Sequence, residues 1–148
     1  MTDRGATTDG GAMANGGVMA ERRYRIERLQ PREDFRGVVL EPLGPEALCT
    51  QQNVHVVLTV PGGVRGNHYH ERGTEVLTVF GPALVRLRDG DRLEDVRAAT
   101  GEALRITIPP GIGHAVRNTG DLPMVLVSFS TAPHDHDNPD VVRDMLLA

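Results

Sequence analysis

The sequence predicts an all-β fold, a sandwich or barrel of short strands, with a single short helix at the C-terminus. Three observations carry this. Turn signals recur at short intervals from Gln52 onward, the segments between them have strand lengths and alternate or run apolar, and no helical periodicity separates them. With aromatic residues at only 3% and no Trp, the core must come from Val, Leu and Ile, and the β-branched members of that set favour strands. A length of 148 residues, 39% hydrophobic and 24% charged, suits one domain with a modest core.

Residues 1–20 are rich in Gly, Ala, Thr and Asp, a composition that cannot offset the entropy of ordering, and read as a disordered tail. Residues 21–131 are expected to form the barrel. Structure begins near Tyr24-Arg25-Ile26, and Asp34 to Gly37 makes a turn before Val38-Val39-Leu40. Pro42, Gly44 and Pro45 exclude a long helix or central strand in the next stretch. Strands are then expected at Val54 to Val60, Glu75 to Phe80, Ala83 to Arg88, Leu104 to Ile108, His114 to Asn118 and Met124 to Phe129. Asp89-Gly90-Asp91 is a hairpin signal. Residues 132–148 read as a linker and a short helix, with Asn138 as its cap, Pro139 in its first turn, and Val141 to Leu147 packing on the barrel.

The charge pattern limits the partners. A net charge of −4, with basic residues scattered rather than blocked, argues against nucleic acid and anionic membranes. No apolar run in the first twenty residues resembles a signal sequence, and none downstream would span a bilayer, so a cytoplasmic protein is expected. Cys49 is the sole cysteine, which excludes an intrachain disulfide and a Cys-rich zinc site and reads as a small buried hydrophobe. Arg86, Arg88, Arg105 and Arg117 are expected to form a solvated face.

His68 and His70 are one residue apart, so on a strand their imidazoles share a face and can converge on one point. Glu75 follows after a turn containing Gly73 and can return an oxygen ligand. His114, just beyond Pro109-Pro110-Gly111, would close the site from an opposing strand. Three imidazoles and one carboxylate form a borderline ligand set that suits zinc, iron, nickel, manganese or copper. Four protein ligands leave positions open for water or substrate on an octahedral ion. His134 and His136, between Asp135 and Asp137, read as part of a polar linker rather than a second site.

Two motifs carry a family resemblance. Gly62-x5-His68-x-His70-x4-Glu75-x5-Gly81 and Gly101-x7-Pro109-x-Gly111-x2-His114-x3-Asn118 resemble the paired motifs of cupins, over about Tyr24 to Thr131. The resemblance implies a double-stranded β-barrel, or jelly roll. Arg65-Gly66-Asn67-His68-Tyr69-His70, Ile108-Pro109-Pro110-Gly111, Asn118-Thr119-Gly120-Asp121 and Asp137-Asn138-Pro139-Asp140 are similar to a narrower group. That group is the C-terminal cupin domain of bifunctional capsular-polysaccharide enzymes that make the UDP-N-acetyl-L-fucosamine precursor. It implies a zinc-containing epimerase acting on a UDP-4-keto-6-deoxy sugar. The reductase half of such enzymes has a Gly-x-Gly-x-x-Gly after a strand, which is absent here, so a separate reductase is expected. The Arg-Gly-x-His core also resembles that of cupin epimerases and 3,4-ketoisomerases acting on dTDP-sugars. Cupins commonly pair, which implies a homodimer.

Chemistry beside a ketone starts by removing an α-proton and passes through an enolate, whose charge a metal would stabilise as a Lewis acid. His55, on the strand before the metal motif, is the candidate base, against a plain core or surface histidine. Arg65 is the candidate for substrate phosphate, against a solvated arginine. Tyr69 should face away from the ligands by strand alternation. Two other readings remain open: an iron-dependent cupin dioxygenase, and a non-catalytic module binding a metal or small ligand.

Overall fold

Alternation along Ala103-Leu104-Arg105-Ile106-Thr107-Ile108 sends Leu104, Ile106 and Ile108 into a common interior, each at most 1% exposed, while Arg105 and Thr107 face outward. The same rule, applied strand by strand, builds the molecule. A computed structural model describes residues 21–148, and the predicted tail at 1–20 lies outside the described residues. In chain order the elements are β1 (Arg25–Leu29), β2 (Arg32–Asp34), β3 (Gly37–Val39), α1 (Pro45–Leu48), β4 (Asn53–Thr59), β5 (Val64–His70) and β6 (Glu75–Phe80). Then follow β7 (Ala83–Asp89), β8 (Arg92–Ala98), β9 (Ala103–Ile108), β10 (Gly113–Asn118), β11 (Met124–Ser130) and β12 (Val141–Arg143).

Two five-stranded sheets face each other, in the orders β1-β9-β6-β11-β4 and β12-β5-β10-β7-β8, and every pairing is antiparallel. The core between them comes from Leu77 and Val79 of β6, Val85 and Leu87 of β7, the inward residues of β9, Val116 of β10 and Leu126 of β11. Burying each such side chain contributes roughly 1.5–3 kcal/mol before chain entropy is set against it. At the β7–β8 turn, Asp89 pairs with Arg92, leaving Gly90 and Asp91 as a two-residue loop whose first residue needs the positive φ that Gly90 adopts, +60°. The expected strands are present. The sequence reading missed β8, whose Arg-Leu-Glu-Asp-Val-Arg-Ala is too polar to announce itself and is a strand because β7 offers it a partner edge.

Three expectations need correction. The C-terminal segment is not a helix: Val141–Arg143 form β12, pairing with His70, Tyr69 and His68 along the free edge of β5. An open strand edge offers unpaired backbone groups to a β-branched Val-Val pair, and that tertiary opportunity outweighs a local cap. Cys49 is exposed, because it ends the four-residue α1, which buries none of its residues. The four arginines do not share a solvated face. Arg86 forks onto Asp95 at 2.7 and 2.8 Å, Arg88 reaches Asp144 at 2.6 Å, Arg105, on the other sheet, holds its cross-strand neighbour Glu27 of β1 at 2.9 Å, and Arg117 donates to the carbonyl of Ala148. Among the described residues, no helix is long and apolar enough to cross a membrane.

Candidate metal centre

The two motifs meet because β5 and β10 are antiparallel neighbours, with His68 directly opposite His114. The register shifts between His114 and Ala115, and an irregularity of this kind re-aims a side chain. Gly66 (φ +84°) and Asn67 (φ +57°) supply the matching distortion on β5. Asn67 is the one non-glycine residue with positive φ among the described residues, and its side chain holds it there: Oδ1 accepts from the amides of Leu146 and Leu147, and Nδ2 donates to the carbonyl of Leu147, all at 2.9 Å. Glu75 opens β6 on the facing sheet and points into the same space.

One potential ligand atom from each of His68, His70, Glu75 and His114 lies within 4.8 Å of all the others. Oε2 of Glu75 is 2.9 Å from Nε2 of His114 and 3.3 Å from Nε2 of His70, yet it is aligned as a hydrogen-bond acceptor with neither. Nε2 of His70 is likewise buried without a hydrogen bond. Buried polar atoms are almost always satisfied, so atoms that converge on a point instead of on each other fit a cation at that point. The remaining valences are already committed. Nδ1 of His114 faces the carbonyl of Ile112 at 3.3 Å, and Oε1 of Glu75 accepts a hydrogen bond from the Ser128 hydroxyl. A histidine protonated at Nδ1 presents the Nε2 lone pair, which is the metal-binding form.

The electrostatics of His68 and Glu75 agree with that donor set, whereas His70 is raised: burial lowers it, but the carboxylates of Glu75 and Asp140 outweigh the burial. Burial pulls His68 down to about 4, with the neighbouring His114 adding to it, so this imidazole is neutral near physiological pH. Burial alone would raise Glu75, but the facing imidazoles of His114 and His70 outweigh it and hold the carboxyl well below its usual range. A neutral imidazole and an ionised carboxylate are the ligating species. Three imidazole nitrogens and one carboxylate oxygen therefore could hold a divalent metal.

A cavity of about 260 Å³ adjoins the centre, lined by His68, Glu75 and His114 together with His55, Arg65 and the apolar Val57, Leu77, Val116 and Leu126. A second, of about 160 Å³, shares His55, His68 and Glu75 and extends past His70 to His134 and Asp140. His55 projects inward from β4 opposite Ser128, with Nε2 3.3 Å from Nδ2 of Asn53 and its ring 5.2 Å from that of His134. Arg65 donates to the carbonyl of Leu58 at 3.3 Å and makes no ion pair among the described residues. Tyr69 lines neither cavity and stands opposite Val142. His134 and His136 are exposed and do not join a cluster with ligand spacing.

Two groups escaped the sequence reading. Ser128 is a polar residue at an inward position of a mostly apolar strand, a signal that was available. Asp140 sits beside His70 at 3.6 Å, and nothing in its local spacing points there.

Two antiparallel sheets closing on a His/Glu cluster that could hold a metal give the chain a cupin fold. The chain belongs to the polysaccharide biosynthesis C-terminal domain family, whose pattern matches residues 32–142. It is similar to the capsular polysaccharide assembling protein CapF from Staphylococcus aureus at 26% identity and a TM-score of 0.60, covering 65% of this chain and 27% of CapF. A second CapF crystal form gives 24% identity and covers 81% and 35%, so this chain spans about a third of that protein. It shares its fold with the 3'-monoepimerase ChmJ from Streptomyces bikiniensis, solved with dTDP-quinovose, at 18% identity, TM-score 0.68, and 84% and 71% coverage. The sugar 3,4-ketoisomerase QdtA from Thermoanaerobacterium thermosaccharolyticum, solved with TDP, matches at 18% identity, TM-score 0.63, and 82% and 88% coverage. No curated protein sequence matches the chain.

Proposed function

We propose that this domain is a metal-dependent epimerase or isomerase of a nucleotide-linked 4-keto-6-deoxy sugar, with zinc as the metal and a UDP- or dTDP-sugar as substrate. One observation carries the reading: the four-residue cluster opens onto a cavity that also presents Arg65, whose guanidinium makes no ion pair among the described residues, and an inward imidazole, His55. The sugar-nucleotide enzymes that share the fold support the substrate class.

The chain's own residues divide the work. His68, His70, Glu75 and His114 would hold the metal, which when bound supplies Lewis acidity at a carbonyl oxygen beside the acidic carbon. His55, within the same cavity, takes the α-proton. Arg65 binds a diphosphate oxygen at the cavity rim. Val57, Leu77, Val116 and Leu126 keep water from the sugar ring. Reduction of the ketone would fall to a reductase outside this domain.

The test is solvent exchange. UDP- and dTDP-4-keto-6-deoxyhexoses incubated with the metal-loaded protein in heavy water are expected to gain deuterium at a carbon next to the ketone, read by NMR. His55→Gln should slow this exchange while metal content stays unchanged. Full metal occupancy with no exchange into any of these sugars would overturn the reading, and oxygen uptake with substrate loss would select dioxygenase chemistry instead.

The reading includes a homodimer. β4 is an edge strand whose outward Val54, Val56 and Leu58 are each more than half exposed, beside Val125 of β11. Among the described residues, the hairpin of β2 and β3 pairs with no other strand, and it exposes Phe35, Val38 and Val39. A free edge and an apolar row together favour pairing with a second copy. Light scattering should give about twice the 16.1 kDa chain mass, and Val56→Lys should return it to one.

A further inference from the structure

The segment after the barrel runs along the ligand strand, and one carboxylate within it faces the centre. Asp140 has 9% of its side chain exposed and every oxygen committed. Oδ1 accepts the amide of Arg72 at 2.8 Å, with Nε of the same residue at 3.3 Å, and Oδ2 accepts the amide of Gly73 at 2.8 Å. Its own carbonyl accepts the amide of Glu71 at 3.2 Å. Residues 71–73 are the turn between β5, which carries His70, and β6, which begins with Glu75. Oδ2 also stands 3.6 Å from Nδ1 of His70, on the side of the ring away from Glu75. The fit is tight: a Cβ on Gly73 would lie 3.1 Å from Oδ2 and 2.8 Å from the Cβ of Ala132.

We propose that Asp140 is a positioning residue of the metal centre, fixing the His70 ring with Nε2 toward the metal and clamping the turn that sets the distance from His70 to Glu75. A ligating histidine needs its other nitrogen held by an acceptor, because that hold selects the tautomer and freezes the ring. Two ligands from successive strands also need the turn between them to be rigid. One carboxylate is placed for both: it hydrogen-bonds the turn directly and faces the ring nitrogen at 3.6 Å, an ion-pair distance that a slight closing would turn into a hydrogen bond, and it arrives from a distant part of the chain because Val141 pairs with His70 on β5. The arrangement makes metal retention depend on the C-terminal strap.

The metal arm of this inference rests on the four-ligand reading, so the test has a second arm that needs no metal. In the zinc-loaded protein, Asp140→Ala should release metal to a chelating dye about 10–100-fold faster than wild type. Asp140→Asn, which keeps one oxygen acceptor, should restore part of the loss, and the cobalt-substituted protein should show an altered visible spectrum for Asp140→Ala. Asp137→Ala, which removes an exposed carboxylate from the same segment, should change none of these. In the metal-free protein, ring nitrogen shifts of His70 should move in Asp140→Ala while those of His68 and His114 stay. Circular dichroism and thermal melting identify any variant that has lost its fold, in which case Asp140→Asn decides. Wild-type release rates and an unmoved His70 ring in both Asp140 variants would overturn the proposal with the centre intact. A wild-type protein that takes up no metal, with His70 still responding, would instead remove the metal reading and leave the positioning role standing.

Discussion

His114→Ala is expected to lose stoichiometric metal, with affinity reduced by more than about 100-fold, the upper end of what changes outside the ligand shell cost. His114 is 2% exposed and stands between the other groups, its ring 4.6 Å from that of His68 and its Nε2 2.9 Å from Oε2 of Glu75. Truncation removes one ligand and also leaves the Glu75 carboxylate buried with one fewer imidazole to face. Orphaning a buried charge in this way costs roughly 3–5 kcal/mol. The metal-free variant should therefore melt below the metal-free wild type, and its Glu75 carboxyl should rise toward neutrality of charge as the support from His114 is lost. Elemental analysis after gel filtration measures the first effect, and thermal unfolding with and without chelator measures the second. His114→Gln keeps more of the volume and separates ligand loss from cavity formation. A His114→Ala protein that stays fully loaded would remove the basis for treating the four side chains as one centre.

The convergence of the four candidate ligands was legible because metal chemistry restricts residue type and strand geometry restricts spacing. His68 and His70 at alternate positions needed only β5 to be a strand, and Glu75 needed only a turn at Gly73. The partnership of His68 with His114 was a stronger claim, since it required two distant strands to be neighbours. The motif resemblance supplied what spacing could not. The barrel itself was legible from alternation and turns, as in Ala103–Ile108, where one face is buried from end to end.

What failed was whatever depended on long-range pairing without a motif. Val141–Arg143 carry a plausible cap and first-turn proline upstream, yet they are a strand because β5 leaves an edge open beside them. The arginines at 86, 88, 105 and 117 looked solvated because no local pattern places Asp95, Asp144, Glu27 or the C-terminal carbonyl against them. The exposed pairs among these contribute little to stability, so the sequence carries little pressure to advertise them. Asp140 and Asp144 are different. Both are nearly buried, and both lie against glycines that adjoin ligands, Asp140 on Gly73 and Asp144 on Gly113. A carboxylate that must sit against a Cβ-less position leaves a trace in the sequence only as an isolated Gly inside or beside a strand, at a site whose partner is unknown until the chain is folded.

Gly66→Ala should be the most damaging single methyl group near the centre, costing about 2–4 kcal/mol of stability. The backbone there has φ +84°, which costs an L-residue about 1–2 kcal/mol. A Cβ would also lie 2.7 Å from the carbonyl oxygen of His114 and 3.1 Å from the Cα of Ala115, which are backbone atoms and cannot rotate away. Relief requires β5 and β10 to separate where His68 faces His114, so metal affinity should fall together with stability. Gly101→Ala isolates the conformational part. Its φ of +81° is nearly the same, but no atom lies within 4 Å of the added carbon, so it should cost only the strain and leave metal binding at the wild-type level. Chemical denaturation of both variants, each with and without metal, gives the comparison. Equal losses of stability and unchanged metal content in the two would mean that the approach of β5 to β10 at Gly66 does not hold the histidines in register, and the coupling of fold to centre would have to lie elsewhere.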